Sequence, residues 1–174
     1  MEYEFELKFK LQSDGADADE LVERLGQAGC DDALVGIGQT RRIALNFTRE
    51  AESAKLAIVS AIEDVKKAIP KAKLIEAGPD FVGLTDVAEM LGMSRQNMRK
   101  LMLAHPASFP PPVHEGSSTL WHLEPLLVWL QSKGGYGIRQ QQIDVAHVTL
   151  QINLIKAADR LELPMQREVR ALIA

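Results

Sequence analysis

Residues 84–102 read LTDVAEMLGMSRQNMRKLM, a pattern of two short amphipathic helices broken at Gly92. Thr85 is placed to cap the first, with Asp86 and Glu89 near its positive end and Val87, Ala88, Met90 and Leu91 supplying apolar contacts. Gly92 permits the backbone reversal that ends it. Ser94 is placed to cap the second helix, whose first turns carry Arg95, Gln96, Asn97, Arg99 and Lys100 while Met98, Leu101 and Met102 face inward. A helix-turn-helix presents its recognition helix to the major groove in this way. The competing reading of the same residues is a surface helix pair with a solvated basic face.

The residues that follow extend the first reading. In HPASFPPPVHEGSSTLWHLEPLLVWL, four prolines exclude helix, Gly116, Ser117 and Ser118 form a turn, and Thr119 to His122 form a short strand. Glu124 and Pro125 then open a helix containing Leu126, Leu127, Val128, Trp129 and Leu130. A helix-turn-helix followed by a two-stranded hairpin and a closing helix is a winged helix module.

Residues 81–131 resemble the AlpA and phage excisionase group of winged helix proteins, related to the MerR type of DNA-binding domain. One part of the resemblance is the pattern L-x-x-V-A-x-x-L-G-x-S, here Leu84, Val87, Ala88, Leu91, Gly92 and Ser94. The other is the later series Phe109, Pro110, Pro112, Val113, Trp121, Trp129 and Leu130. The resemblance implies a DNA-binding domain acting on double-stranded DNA. The turn of this chain carries Glu115 and no Lys or Arg at its tip.

With the second helix in the major groove, Arg95, Gln96 and Arg99 are expected to reach base edges, since Arg pairs with guanine and Gln with adenine in a bidentate way. Ser94, Asn97 and Lys100 suit phosphate contact. His114, Ser117, Ser118 and Thr119 form the candidate wing. Trp121 and Trp129 sit beside apolar residues, so core packing accounts for them better than base stacking. His114 and His122 flank the turn without the two further ligands that a metal site needs.

Working back from residue 84, Gly78, Pro79 and Asp80 mark a boundary where the periodicity changes. The first segment opens with strict alternation, Tyr3, Phe5, Leu7, Phe9 and Leu11 against Glu4, Glu6, Lys8 and Lys10, which is a half-buried strand. Ser13 to Gly15 breaks it, and Ala18 to Ala28 follows as a helix with Leu21, Val22, Leu25 and Ala28 at helical spacing, ending at Gly29. Leu34, Val35 and Ile37 begin a second strand. Gly36 and Gly38 suit a tight hairpin to a third, which carries Ile43, Leu45 and Phe47 on one face. A helix is expected over Glu50 to Ile69, with Leu56, Val59, Ile62, Val65 and Ile69 in one stripe and Pro70 stopping it, and then a strand over Ala72 to Ala77. Strand, helix, strand, strand, helix, strand is the order of a ferredoxin-like sandwich.

Beyond the Gly-rich joint at residues 133–137, Ile143, Ala146, Leu150, Leu154, Ala157 and Leu161 recur at nearly heptad spacing from Arg139 to Leu161, and Pro164 starts a final helix with Val169, Leu172 and Ile173. So apolar a helix needs a partner surface, either the first domain or a second copy. The resemblance adds that MerR-like proteins use a carboxy-terminal dimerisation helix.

The fold expected is therefore α+β: a ferredoxin-like βαββαβ sandwich over residues 1–78, a winged helix-turn-helix over 81–133, and a helical tail over 138–174 that dimerises or docks. Composition agrees with a folded protein, at 46% hydrophobic and 25% charged residues. No apolar run approaches the ~20 residues of a membrane span, and the acidic alternating start is unlike a secretory signal; the expectation is a cytoplasmic protein without membrane contact. Cys30, the single cysteine, reads as a small packing residue.

The net charge of −4 argues against indiscriminate polyanion binding. Its distribution is uneven. Residues 1–80 hold 16 acids and 11 bases, whereas no acid falls between Met90 and His114, where Arg95, Arg99 and Lys100 lie. Asp31 and Asp32 read as loop residues, and no nucleophile, base, metal or cofactor constellation assembles, so enzymatic activity is the least supported class.

The function expected is a sequence-specific DNA-binding transcriptional regulator, a homodimeric repressor or autoregulator whose first domain takes a protein partner or small effector. The antitoxin of a toxin-antitoxin operon is one form of it. The alternatives are an excisionase-like protein that bends DNA and an interaction module whose helix-turn-helix binds no DNA.

Overall fold

The alternation at the start of the chain becomes β1 (Glu2–Lys10), whose Tyr3, Phe5, Leu7 and Phe9 are buried while Glu4 and Lys10 stay in water. The structure, a computed structural model, describes residues 1–12 and 17–173 apart from the side chain of Gln39. The expected break at Ser13 to Gly15 lies outside them. Next come α1 (Ala18–Ala28), β2 (Ala33–Gln39), β3 (Arg42–Glu50), α2 (Ala54–Ala68) and β4 (Lys73–Gly78). The four strands form one antiparallel sheet in the order β2-β3-β1-β4. Register places Phe5 opposite Phe47, Leu7 opposite Leu45 and Phe9 opposite Ile43, so all six side chains enter one core under α1 and α2.

Three local expectations are corrected. The second helix starts at Ala54 and not Glu50, because β3 runs on to Glu50 and Ser53 then caps, its Oγ accepting the Leu56 N–H at 3.2 Å. Its buried face is Ala54, Ala57, Ile58, Ala61, Val65 and Ala68, whereas Leu56 and Val59 are exposed. Small alanines let the helix lie close to the sheet; of the expected stripe Val65 is buried and Ile62 and Ile69 pack at the edge of the core, so the inner face is rotated toward the alanines. Gly36 and Gly38 lie within β2 and not at its turn, where two residues oppose one of β3 in a bulge; Thr40 and Arg41 make the turn, Arg41 with φ 62°.

A second core begins where β5 (Phe81–Val82) pairs with β6 (Trp121–His122). Between them lie α3 (Leu84–Met90) and α4 (Arg95–Ala104), and β6 runs into α5 (Leu123–Lys133). Val87, Ala88, Met98, Trp121, Leu126, Leu127, Trp129 and Leu130 pack together there. The first helix is not capped by Thr85: Gly83 is the capping residue, and its N–H is accepted by Asp86 at 2.6 Å.

The cores share α6 (Gln140–Ala158), which spans less than the expected Arg139 to Leu161. Val145 belongs to the first core, and Ile143 and Ala146 to the second. Of the two surfaces open to this helix, its own chain supplies one. The sequence boundary at Gly78 to Asp80 lies beneath it: Asn153 accepts the Ala77 N–H at 3.0 Å and donates to the Ala77 carbonyl and the Asp80 carboxylate, both at 2.8 Å. Thr149 donates to the Pro79 carbonyl at 2.7 Å, Lys156 to that of Ile75, and His122 Nδ1 meets the other Asp80 oxygen at 2.6 Å. Asp80 is 1% exposed, so this turn is a sealed junction with its polar groups satisfied. The closing helix α7 (Leu163–Ile173) buries no residue. Among the described residues no helix is long and apolar enough to cross a membrane.

Candidate nucleic-acid interface

The surface of interest is built on α4. Ser94 starts it, its Oγ accepting the Asn97 N–H at 3.2 Å, and Gly92 at φ 64° supplies the left-handed turn that separates it from α3. Met98 anchors the inner face at 0% exposure, with Leu101 and Met102 half-buried beside it. Arg95, Gln96, Asn97, Arg99 and Lys100 are thereby left in solvent. Among the described residues, neither Arg95 nor Arg99 makes a hydrogen bond or an ion pair.

Facing α4 is the loop over residues 105–120, held by two buried indoles. Trp121 donates to the Pro110 carbonyl at 3.1 Å and Trp129 to the Ser108 hydroxyl at 3.3 Å, while the ring of Phe109 meets both edge-on at 6.3 and 5.1 Å. Trp121 and Trp129 are 4% and 8% exposed, which leaves neither as a stacking platform for bases. The hairpin expected beyond the prolines is short, a single antiparallel bridge between His114 and Leu120. The His114 ring folds against Gly116, where a Cβ would stand 2.6 Å from its Nε2.

Between α4 and this turn lies an open groove of about 740 Å³. It brings together Arg95, Arg99, Ser117, Ser118 and Thr119, with Asp86 and Glu115 also at its wall. Asp86 is engaged with Gly83; Glu115 makes no such contact among the described residues. Ser94, Gln96, Asn97, Lys100 and His114 lie outside the groove. The ten residues singled out from sequence thus divide into five that share one concavity and five that do not.

Two other polar clusters escaped the sequence reading. Arg49, 8% exposed, bonds Asp32 through Nε and Nη2 at 2.7 and 3.0 Å, Asp64 at 2.9 Å, Ser60 at 3.0 Å and the Gly29 carbonyl at 2.6 Å. Burial opposes its charge, but the bonds and charges of Asp32 and Asp64 more than offset that, and its pKa rises. Cys30 nearby is 3% exposed, and burial, followed by the negative Asp64, raises its thiol from 9.0 to about 11. Such a thiol packs and does not react. The second cluster is the junction of Asp80, His122, Thr149 and Asn153. Thr149 and Asn153 stand four apart among the apolar positions of α6, and that spacing was the available signal. Among the described residues no group of His, Cys, Asp and Glu could hold a metal ion.

Comparisons with protein-family models, with curated proteins and with solved structures find no match for this chain.

Proposed function

We propose that the protein is a sequence-specific DNA-binding regulator. The observation that carries this reading is the pair of α4 arginines, without a partner among the described residues, that share an open groove with the hydroxyls of the 117–119 turn. In this reading α3 and α4 are a helix-turn-helix of the AlpA and excisionase type, α4 is the recognition helix and the turn over 113–120 is its wing. Cations exposed on a helix that carries no acid favour the phosphate field, and exposed amides beside them favour base edges.

The βαββαβ unit, a ferredoxin-like sandwich in this reading, is a sensing or partner-binding domain, since its net acidity disfavours DNA. The exposed Met165, Val169, Leu172 and Ile173 of α7 support a homodimer in which a second copy covers them. A dimer would read an inverted repeat with half-sites one helical turn apart.

The test is selection from random-sequence duplexes at two salt concentrations, followed by sequencing of the retained pool. An enriched inverted repeat supports the regulator. Tandem sites with strong bending in gel shift would favour the excisionase-like role, and no enriched motif even at low salt would sink the specific-binding reading.

A further inference from the structure

The faces of α4 suggest a division of labour that differs from the one read from sequence. At about 100° per residue, Arg95, Arg99, Met102 and Leu103 fall within one ~100° arc, and these four line the groove beneath the turn. Gln96 and Lys100 lie farther round, opposite the buried Met98 and outside the groove. The polar side chains of α4 that line the groove are therefore the two arginines, and those on the side away from the buried Met98 are a glutamine and a lysine.

We propose that the groove between α4 and the 113–120 turn is a phosphodiester site, with Arg95 and Arg99 as its cationic wall and Ser117 and Ser118 as hydroxyl donors across from them. Gln96 and Lys100 then face the base edges. The proposal rests on the DNA-binding reading above. Guanidinium is suited to phosphate because its planar fork donates two parallel hydrogen bonds. Hydroxyls complete such a site without adding charge. A groove between a recognition helix and a wing lies over the strand separating the two grooves of the duplex, where phosphates and not base edges are presented. Glu115 at the same wall opposes an anion and tunes the site down.

The experiment uses the full-length chain and the best duplex from the selection, with a set of single-base variants, titrated by fluorescence anisotropy over a range of salt. Arg95→Ala and Arg99→Ala are expected to weaken all duplexes by the same factor and to lower the salt slope by about 1 each. Glu115→Gln is expected to tighten all duplexes together, a gain that a misfolded variant cannot mimic. Gln96→Ala is expected to relax discrimination at one base position by roughly 5- to 150-fold. Loss of base preference in an arginine variant, with only uniform weakening in Gln96→Ala, overturns the division while leaving DNA binding intact. Unchanged affinity in all four variants overturns the site, and failure of the wild-type chain to select any duplex overturns the site and the DNA-binding reading together.

Discussion

Arg49 uses all five of its N–H donors within its own chain, on two carboxylates, a hydroxyl and a backbone carbonyl, and is 8% exposed. Arg95 and Arg99 use none among the described residues and stand in solvent at the rim of a groove. The residue type is the same and the roles are opposite. Arg49 ties β3, α2 and the loop before β2 together, so its free energy belongs to folding. The α4 arginines have nothing to lose when the chain unfolds and something to gain when an anion arrives.

The largest effect that tests this contrast is therefore on stability. Arg49→Ala leaves Asp32 and Asp64 near each other without their cation, and is expected to cost about 3 kcal/mol, the lower end for a broken buried pair because both carboxylates reach some solvent. Urea denaturation measures it, and a loss below about 1 kcal/mol would remove the structural role. Asn153→Ala, which orphans buried groups of Ala77 and Asp80, is expected to cost about 1–3 kcal/mol. A single unfolding transition, shifted as a whole, would show that the junction couples both cores; separate transitions would show that α6 does not. Arg95→Ala and Arg99→Ala complete the series, with stability changes within about 0.5 kcal/mol and effects confined to DNA affinity.

A smaller effect concerns Cys30. Its folded pKa of about 11 lies above the ordinary 9.0, so the folded state holds the thiol proton more tightly than the unfolded state does. The stability this contributes is present below about pH 9 and is lost as pH rises toward 11. Denaturation midpoints across that window are expected to fall for the wild-type chain and to fall less for Cys30→Ala. Equal slopes would show that another group controls the alkaline limb.

Periodicity made much of this molecule legible. The alternation in β1 names a face, and so does the stripe expected in α1, of which Leu21, Leu25 and Ala28 are buried and Val22 is exposed; faces assemble into the observed element order. The failures share a cause. Alanine carries little hydropathic weight, so a stripe drawn through the large side chains of α2 catches Ile62, Val65 and Ile69 but takes in the exposed Leu56 and Val59 in place of the buried alanines. Backbone register is silent in composition, so the β2 bulge and the pairing of β5 with β6 went unseen. The turn at Gly78 to Asp80 reads as a boundary because turn residues usually lie in solvent; only the partners supplied by α6, more than 70 residues away, reveal that it is buried. At the candidate site, the identities of the exposed side chains on α4 were legible from the 3.6-residue period. Which of them share a groove with Ser117 and Ser118 depends on how the proline-rich loop folds over Trp121 and Trp129, and local spacing does not encode that.

The central claim is that Arg95 and Arg99 of α4 meet the phosphates of a DNA duplex, and the salt dependence of duplex binding tests it most directly. The double variant Arg95→Ala with Arg99→Ala, titrated against the selected duplex, is expected to keep its melting temperature and to lose about 2 from the slope of log affinity against log salt. A slope equal to that of the wild-type chain, in a variant that remains folded, would contradict it.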